Sequence, residues 1–495
     1  MNKILYGKDI LDRVISIEVK DKIATIFRQE PDGTISKIEQ DNDNWVLSAK
    51  KLHTNSQELK GNLNYKYITF LEKDNSIYQF KKVHASEDLF SISNPKERFM
   101  VTNGITYHKG LKHDEVSILS FDIETTTLEH NSDAKILLIA NTFRSQGKII
   151  RKMFAHDDYK NQGEMLRTWC NWIQDINPAI ITGYNINLFD IPYINFIAQD
   201  NNVKLNLGRD NSNLKIETYE SKFRKDGSQF YTYHKPKVYG REIVDGLFLA
   251  LKYDIGRKYE NYKLKNIIAQ EGLEKPGRTF YDANQIRYKY MIPEEWEKIK
   301  AYAADDGDDA LAIYDLMSAP QFYFTQMVPK SFQSVTETAT GSQINSIMIR
   351  SYLQEGHSLP KASEKVPFEG AISEGLPGIY DNCWKIDVAS LYPSIMIEYK
   401  VYNKEKDPDG NFLYLVKTLT EERLKNKQLA KETGNSFYKD LEQSQKIGVN
   451  SAYGFLGAPG LLFNYPDGAK FITSTGREIL ETAIKWATGK YLNEN

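Results

Sequence analysis

Cysteine is nearly absent from this sequence of 495 residues, which contains only Cys170 and Cys383. Two distant cysteines without metal-type spacing provide neither a disulfide framework nor a zinc site. A reducing compartment is therefore expected, and we predict a cytoplasmic protein. The chain also lacks an apolar run of the roughly 18 residues that a membrane span needs. Charged residues interrupt the N-terminus before a signal peptide could form, so no membrane partner is predicted.

An excess of charge of either sign is missing as well. The formal net charge is -2, from 64 Lys and Arg against 66 Asp and Glu. This balance neither indicates nor excludes nucleic acid, because a local basic groove can be offset by acidic clusters elsewhere. The chain does have length and apolar content. With 41% hydrophobic residues and 31 tyrosines it fits a globular protein of about three domains.

Apolar runs and turn residues divide the chain into regions. The runs VISIEV, IATIF, YKYITF and SIYQF, separated by turn residues, predict a mostly β region at the N-terminus. Between Val116 and about Met317, strand-like runs alternate with helix-like segments, which is typical of an α/β domain. A helical connector is predicted from Pro329 to Gly375.

The last region begins with KIDVASLYPSIM, where we predict a strand ending near Asp387. An extended stretch over NFLYLVK follows. A helical hairpin is then expected, with helices from Thr420 to about Lys431 and from Ser436 to about Tyr453. Thr418 and Glu421 have the spacing of a capping box for the first helix.

Two acidic residues lie on one face of a predicted strand in VSILSFDIETTT. The strand period of two places Asp122 and Glu124 on one face, while Phe121 and Ile123 pack on the other. Neighbouring buried carboxylates repel each other and stay ionised only when a cation or proton is shared between them. Taken alone, the pair fits an edge strand with solvated acids equally well.

Two further segments supply acids. Asp190 in ITGYNINLFDIPYI stands at the predicted start of a helix, where an aspartate can also simply complement the helix dipole. In AYAADDGDDALAIY, Tyr302 and Asp306 are four residues apart and share a helix face. That segment also fits a solvated acidic face, and Asp305 is the competing choice for Asp306.

Together these segments resemble the three proofreading exonuclease motifs of family B DNA polymerases, as FDIET, N-x-x-x-F-D from Asn185 to Asp190, and Y-x-x-x-D from Tyr302 to Asp306. The resemblance implies a ribonuclease-H-like domain with 3′→5′ exonuclease activity on single-stranded DNA ends. Asp122, Glu124, Asp190 and Asp306 would hold two Mg²⁺ or Mn²⁺ ions for in-line attack on a phosphodiester. Tyr302 would orient the attacking water.

The stretch at Asp387 resembles polymerase motif A, D-x-x-S-L-Y-P-S. In that motif the aspartate binds both catalytic metals, and the following carbonyl, here that of Val388, faces a metal. Ser390 and the Leu391 backbone would hold triphosphate oxygens. Tyr392 would stack beneath the incoming sugar and select deoxynucleotides. Upstream, the Gly-Ala core of FEGAISEGLPGIY, after Phe368 and Glu369, resembles the segment that joins the exonuclease and polymerase domains.

KIGVNSAYGFLG resembles polymerase motif B, K-x-x-x-N-S-x-Y-G. On a helix Lys446, Asn450 and Tyr453 share a face, so Lys446 would reach the triphosphate while Asn450 and Tyr453 flank the nascent base pair. Gly454 would permit close backbone approach. By resemblance to the fingers, Arg423, four residues before Lys427, would pair with the γ-phosphate.

The chain departs from the family after motif B. The second metal-binding carboxylate comes from a Y-x-D-T-D hairpin, motif C, but here the single later aspartate is Asp467 in NYPDGAK, which we predict to be a turn. A helix over TSTGREILETAIKWATGKYL is then expected. Three explanations stay open: a split polymerase whose partner chain supplies motif C and the thumb, a truncated or frameshifted gene product, or an exonuclease without polymerisation. A non-catalytic primer-template or RNA-binding protein is a fourth hypothesis, which the four metal-type acids argue against.

We therefore predict an α/β multidomain protein, the N-terminal part of a phage-type family B DNA polymerase acting in the host cytoplasm. The expected partners are primer-template DNA, deoxynucleoside triphosphates and a second polymerase chain, with a sliding clamp as a candidate. The cofactor is Mg²⁺ or Mn²⁺, two per active site. The predicted domains are a β-rich domain (1–110), the exonuclease domain (111–325), connector and partial palm with motif A (326–417), helical-hairpin fingers (418–455) and further partial palm (456–495), without a thumb.

Overall fold

The structure is a computed structural model. It describes residues 2–225, 229–254, 256–364, 366–367, 369–371, 378–383, 385, 387–388 and 390–489. Within these ranges no helix is long and apolar enough to cross a membrane.

The N-terminal region contains two antiparallel sheets. Its elements are α1 (Lys3–Tyr6), β1 (Val14–Lys20), β2 (Ile23–Gln29), β3 (Ile35–Asp41), β4 (Asn44–Ser48), β5 (Ser56–Glu58), β6 (Tyr67–Leu71), α2 (Asp74–Val83), β7 (Leu89–Phe90) and α3 (Pro95–Asn103). One sheet has the order β1-β2-β3 and the other β5-β6-β4-β7. The strands predicted for VISIEV, IATIF and YKYITF are confirmed.

The predicted strand SIYQF is wrong, because this segment lies in helix α2. Ile77, Phe80, Lys81 and the C-cap residue His84 are half-buried, whereas Tyr78 is exposed. Their spacing of three, four and seven residues is that of a helix face rather than a strand.

The middle region is an α/β unit. Its elements are β8 (Ile118–Thr125), β9 (Ile136–Ser145), β10 (Lys148–Ala155), α4 (Gln162–Ile176), β11 (Ile180–Gly183), α5 (Asp190–Asp200), β12 (Lys215–Arg224), β13 (Phe230–Lys237), β14 (Glu242–Asp245), α6 (Gly246–Tyr253), α7 (Leu264–Gln270), α8 (Ala283–Lys289) and α9 (Pro293–Thr325). A five-stranded sheet has the order β10-β9-β8-β11-β14, and β12 pairs with β13 as a separate hairpin. The α/β pattern and the long helix predicted before Met317 are confirmed.

The centre of this sheet is buried on both sides. Strand β8 pairs antiparallel with β9 and parallel with β11. Helix α4 places Met165, Leu166, Trp169 and Ile173 in the core on one side. Helix α9 packs on the other side, where the Ser120 hydroxyl donates to the carbonyl of Gly307 at 3.0 Å. The acidic end of β8 is thus held between rigid elements.

The C-terminal region is helical in the described ranges. Its helices are α10 (Phe332–Glu337), α11 (Thr340–Leu353), α12 (Leu391–Glu398), α13 (Asn411–Thr433), α14 (Ser436–Gly457) and α15 (Pro466–Thr488). The helical connector is confirmed only as far as Leu353, because the described residues from there to Ala371 are not helical. The second hairpin helix is confirmed. Phe324 of α9 and Phe455 of α14 belong to one core with α11, α12 and α13.

Three local predictions are wrong here. NFLYLVK is not extended but forms the first turns of α13, because Phe412, Leu415, Val416 and Leu419 have helical spacing and are all buried. The capping box at Thr418 therefore lies inside a helix. Asp467 is not in a turn: Pro466 starts α15 and Asp467 lies in its first turn, where proline and an acid both favour a helix start.

The strand predicted to end near Asp387 falls partly on residues outside the described ranges. The described residues Lys385, Asp387 and Val388 belong to no strand. Phe368 also lies outside those ranges, so the junction segment is described only in part.

Candidate active sites

Strand β8 presents its two acids on the face predicted from the sequence. Phe121 and Ile123 point into the core between the sheet and α4, and are at most 5% exposed. Asp122 and Glu124 alternate with them and are half-buried. The pleat thus fixes both carboxylates on one side of a strand that cannot shift register without exposing its apolar residues.

Asp190 reaches this strand because a second aspartate holds the loop before it. The Asp245 carboxylate accepts hydrogen bonds from the backbone N–H groups of Asn185 and Asn187, each at 2.9 Å, and caps α6. Asn185 has a φ of 68°, a left-handed conformation that asparagine tolerates well. Asp190 then begins α5, and its Oδ1 accepts from the N–H of Ile123 at 3.2 Å.

Helix α9 contributes Tyr302 and Asp306 from the other side of the sheet. Carboxylate oxygens of Asp122, Glu124 and Asp306 lie within 4.8 Å of one another. Asp305 instead accepts from the Thr279 N–H at 2.8 Å and pairs with a lysine. The structure thus brings Asp306, rather than Asp305, to the acids of β8.

Burial raises the pKa of each of these four carboxyl groups. The pKa of Glu124 rises to about 8, with the charge of Asp306 as a second cause. That of Asp190 also rises to about 8. The pKa of Asp122 lies well above its usual range, through burial and then the charges of Asp190, Glu124 and Asp306. Burial likewise raises the pKa of Asp306, against the lowering effect of Lys265 and Arg278.

The donor set fits a divalent metal ion. The ligand atoms are hard carboxylate oxygens, which suit Mg²⁺ or Mn²⁺. A cation lowers the pKa of a carboxyl group beside it. Binding of a metal ion by these acids would therefore release protons. The geometry does not distinguish between the two ions.

Two cations at this site were missed in the sequence. The Lys265 ammonium lies 3.9 Å from the centre of the Tyr302 ring, donates to the Tyr302 hydroxyl, and is 3.8 Å from Asp306 Oδ2. Arg278 is paired with Asp306 and, at 2.7 Å, with Asp309. Both residues lie in stretches without a motif, so only the tertiary structure relates them to the acids. Asp245 was missed for the same reason.

The predicted nucleotide-binding residues divide into two groups. Arg423 of α13 donates from Nη1 to the Ser390 hydroxyl at 3.0 Å. Tyr392 of α12 and Tyr453 of α14 form a ring contact with centroids 4.8 Å apart. The hairpin of α13 and α14 therefore contacts the segment predicted to be motif A at two points, and Leu391 packs partly buried against the same core.

Lys446 and Asn450 face a different surface. They line a cavity of about 420 Å³ whose other wall comes from the middle region, with Lys225, Lys252 and Gln321 among its residues. Lys446 and Asn450 thus lie toward the middle region, whereas Tyr453, which was predicted to share their face, contacts Tyr392 instead. Asp387 and Val388 are exposed, and the structure places neither of them in this cavity.

Comparison with known proteins relates this chain to a family. Residues 62–267 match the model described as DNA polymerase family B, exonuclease domain. Within the matched residues the chain is similar to the exonuclease domain of family B DNA polymerases. The matched range contains Asp122, Glu124 and Asp190 of the acidic site, whereas Tyr302 and Asp306 lie beyond it.

Archaeal family B relatives resemble most of the chain. A DNA polymerase of Archaeoglobus fulgidus is 26% identical over 354 residues, which are 66% of this chain and 42% of that protein. A DNA polymerase of Thermococcus sp. is 24% identical over 445 residues, 82% of this chain and 55% of that protein. The chain spans about half the length of the curated relatives it matches. These matches support the family and leave the phage-type and split-chain details as predictions.

A solved structure supports the family B fold. The family B DNA polymerase from the hyperthermophilic archaeon Pyrobaculum calidifontis matches with a TM-score of 0.76 at 16% identity, covering 96% of this chain and 71% of that one. At this identity the match shows a shared fold. The site roles rest on the geometry given above.

Proposed function

We propose that this chain carries the 3′→5′ proofreading exonuclease and the nucleotide-binding half of the polymerase site of a family B DNA polymerase. The observation that carries the proposal is the convergence of Asp122, Glu124 and Asp306 within 4.8 Å, with Asp190 bonded to the same strand. These acids come from three distant segments in a region that matches the family's exonuclease domain over most of its length. The substrates are single-stranded DNA ends and, at the second site, primer-template DNA with deoxynucleoside triphosphates.

The exonuclease mechanism uses the acids as the ligands of divalent metal. Asp122, Glu124, Asp190 and Asp306 would hold the ions, which supply Lewis-acid stabilisation of the charge that develops on the phosphodiester. Tyr302 would orient the attacking water, and its hydroxyl is held in place by Lys265 and by Asp306. Lys265 also adds a fixed positive charge beside the expected position of the phosphate.

Removing the two acids of β8 tests the exonuclease. Asp122→Ala with Glu124→Ala should reduce Mg²⁺-dependent degradation of single-stranded DNA by at least about a thousandfold, because catalysis of this kind depends on the bound ions. The matched control is Glu39→Ala with Asp41→Ala, two exposed acids with the same spacing on β3. Undiminished degradation by the first double variant would show that the site assignment is wrong.

The polymerase half needs a carboxylate opposite Asp387 that these 495 residues do not include. We propose that a protein segment bearing motif C, on the same polypeptide or on a partner chain, completes it. The split-polymerase hypothesis predicts an apolar exposed surface near Asp387. Val388, the residue after Asp387, is 42% exposed, and this exposed apolar side chain supports the proposal.

An exonuclease that acts without polymerisation is the second candidate, and it rests on the acidic cluster of Asp122, Glu124 and Asp306 alone. Primer extension separates the two. The chain alone should degrade DNA without extending a primer, and addition of the segment with motif C should restore extension. A chain that extends no primer with that segment present, while it still degrades single strands, is an exonuclease only.

A further inference from the structure

Arg423 is held by two partners in the fingers. Its Nε donates to Glu442 Oε1 at 2.8 Å, and its Nη1 donates to the hydroxyl of Ser390 at 3.0 Å. The side chains of Arg423 and Glu442 are 14% and 9% exposed. A pair so shielded from water is stronger than a surface salt bridge, because the effective dielectric constant is lower there.

Glu442 has no role in the motifs or in the acidic site. It lies on α14, four residues before Lys446, and faces α13 across the hairpin. Its second oxygen accepts from the Gln443 side chain at 2.8 Å. The carboxylate of Glu442 therefore places a negative charge of α14 directly beside Arg423 of α13.

We propose that Glu442 is a positioning residue that occupies the anion position on Arg423 until a triphosphate displaces it. The inference rests on the proposed function, in which Arg423 pairs with the terminal phosphate. A guanidinium offers a carboxylate and a phosphate the same planar donor fork, so the two anions compete for it. Only a ligand with enough negative charge to displace the carboxylate of Glu442 then binds to Arg423.

Weakening the bond between Glu442 and Arg423 should favour the binding of phosphate to Arg423. Replacing Glu442 by glutamine keeps the shape and one acceptor but removes the charge, so Arg423 is released more easily and the repulsion of phosphate is lost. Glu442→Gln should therefore bind inorganic tripolyphosphate roughly fivefold more tightly than the wild type, the difference between a charged and a neutral acceptor. Pyrophosphate should gain by a similar factor, because the fraction of Arg423 that is free of Glu442 does not depend on the ligand.

The test is calorimetric titration of the full chain with tripolyphosphate and pyrophosphate. Arg423→Ala should weaken tripolyphosphate binding, and in that background Glu442→Gln should have no further effect. Glu442→Asp keeps the charge and should stay within about twofold of the wild type. The matched control is Glu421→Gln, which removes one exposed charge from the same hairpin and should leave the affinity unchanged.

Several results would overturn the inference. Unchanged or weaker binding of tripolyphosphate by Glu442→Gln contradicts it. Tighter binding by Glu442→Gln that persists in the Arg423→Ala background also contradicts it, and so does equally tight binding by Glu442→Asp. A wild type and Glu442→Gln variant that both fail to bind tripolyphosphate also contradict it. Degradation of single-stranded DNA is measured on the same preparations to show that they are folded. A wild type that binds tripolyphosphate, with a Glu442→Gln variant that binds it no more tightly, removes this inference alone, whereas a wild type that binds no tripolyphosphate also contradicts the proposed nucleotide site.

Discussion

At the scale of single residues, the four carboxylates of the acidic site depend on the lysine and the hydrogen-bond partners around them. Asp122 and Glu124 follow from the strand period, and Tyr302 with Asp306 from the helix period, because both relations are local. Lys265 and Asp245 are far from those motifs in sequence, and their relation to the site exists only after the chain has folded. Glu442 is likewise recognised only through its bond to Arg423.

Lys265 should affect metal affinity and cleavage in opposite directions. Lys265→Met removes a cation 3.8 Å from Asp306, so Mn²⁺ should bind about threefold to tenfold more tightly. Cleavage of single-stranded DNA should nevertheless slow by about tenfold, because Tyr302 loses the group that positions its hydroxyl. Mn²⁺ titration followed by electron paramagnetic resonance measures the first effect without relying on activity.

The control for this prediction is Lys263→Met, which removes an exposed lysine two residues away. It should change neither value. Weaker Mn²⁺ binding by Lys265→Met would mean that Lys265 organises the acids rather than competing with the ion.

At the scale of helices and strands, the spacing of the apolar residues indicates the type of element better than the β propensity of the individual residues does. NFLYLVK contains β-favouring residues, yet the spacing of Phe412, Leu415, Val416 and Leu419 places all four on one buried helix face. The same reason explains the helix at SIYQF. Strands β8, β9, β11 and β14 of the central sheet were predicted from their apolar runs, which are typical of strands covered on both faces. Strand β10 was not predicted, because its first five residues are exposed.

The start of α13 can be tested by a pair of leucines on the same helix. Leu415→Ala should lower the free energy of unfolding by about 2–5 kcal/mol, since Leu415 is fully buried. Leu424→Ala should change it by no more than about 0.5 kcal/mol, because Leu424 is 58% exposed. Urea unfolding curves of both variants provide the comparison, and equal effects would contradict the helical register.

At the scale of the whole molecule, two histidines join the start of the middle region to α9. His108 stacks on Phe322 with ring centroids 4.0 Å apart, and His113 donates to or accepts from the Ser318 hydroxyl at 2.6 Å. Burial lowers the pKa of each to about 3, helped for His113 by the charge of Arg144. Both are therefore neutral in the folded protein at neutral pH.

The two histidines should consequently contribute less to stability in mild acid, and this contribution is read from the difference between variants because the raised pKa values of Glu124 and Asp190 act in the opposite direction. The unfolded chain protonates each histidine below the ordinary histidine pKa of 6.5 and the folded chain only below about 3, so their contribution is complete above pH 6.5 and is lost as the pH decreases. The expected loss is about 1.4 kcal/mol per pH unit for each histidine. Urea unfolding at pH 7, 6 and 5 gives the slope of the free energy of unfolding against pH. His108→Phe should lower this slope by the amount that corresponds to about one proton, and the exposed control His53→Phe should leave the slope unchanged.

Helix α9 runs for 33 residues, from a proline at its first turn to Thr325, a length of about 50 Å. It supplies Tyr302 and Asp306 near one end, and near the other Phe324 lies against Gly448 of α14, where an added Cβ would come within 3.2 Å of the phenylalanine ring. One inserted residue between these points would rotate one end by about 100° relative to the other. Both proposed sites therefore require the same number of residues between Asp306 and Phe324. Variation in this part of the gene should consist of substitutions and not of insertions or deletions.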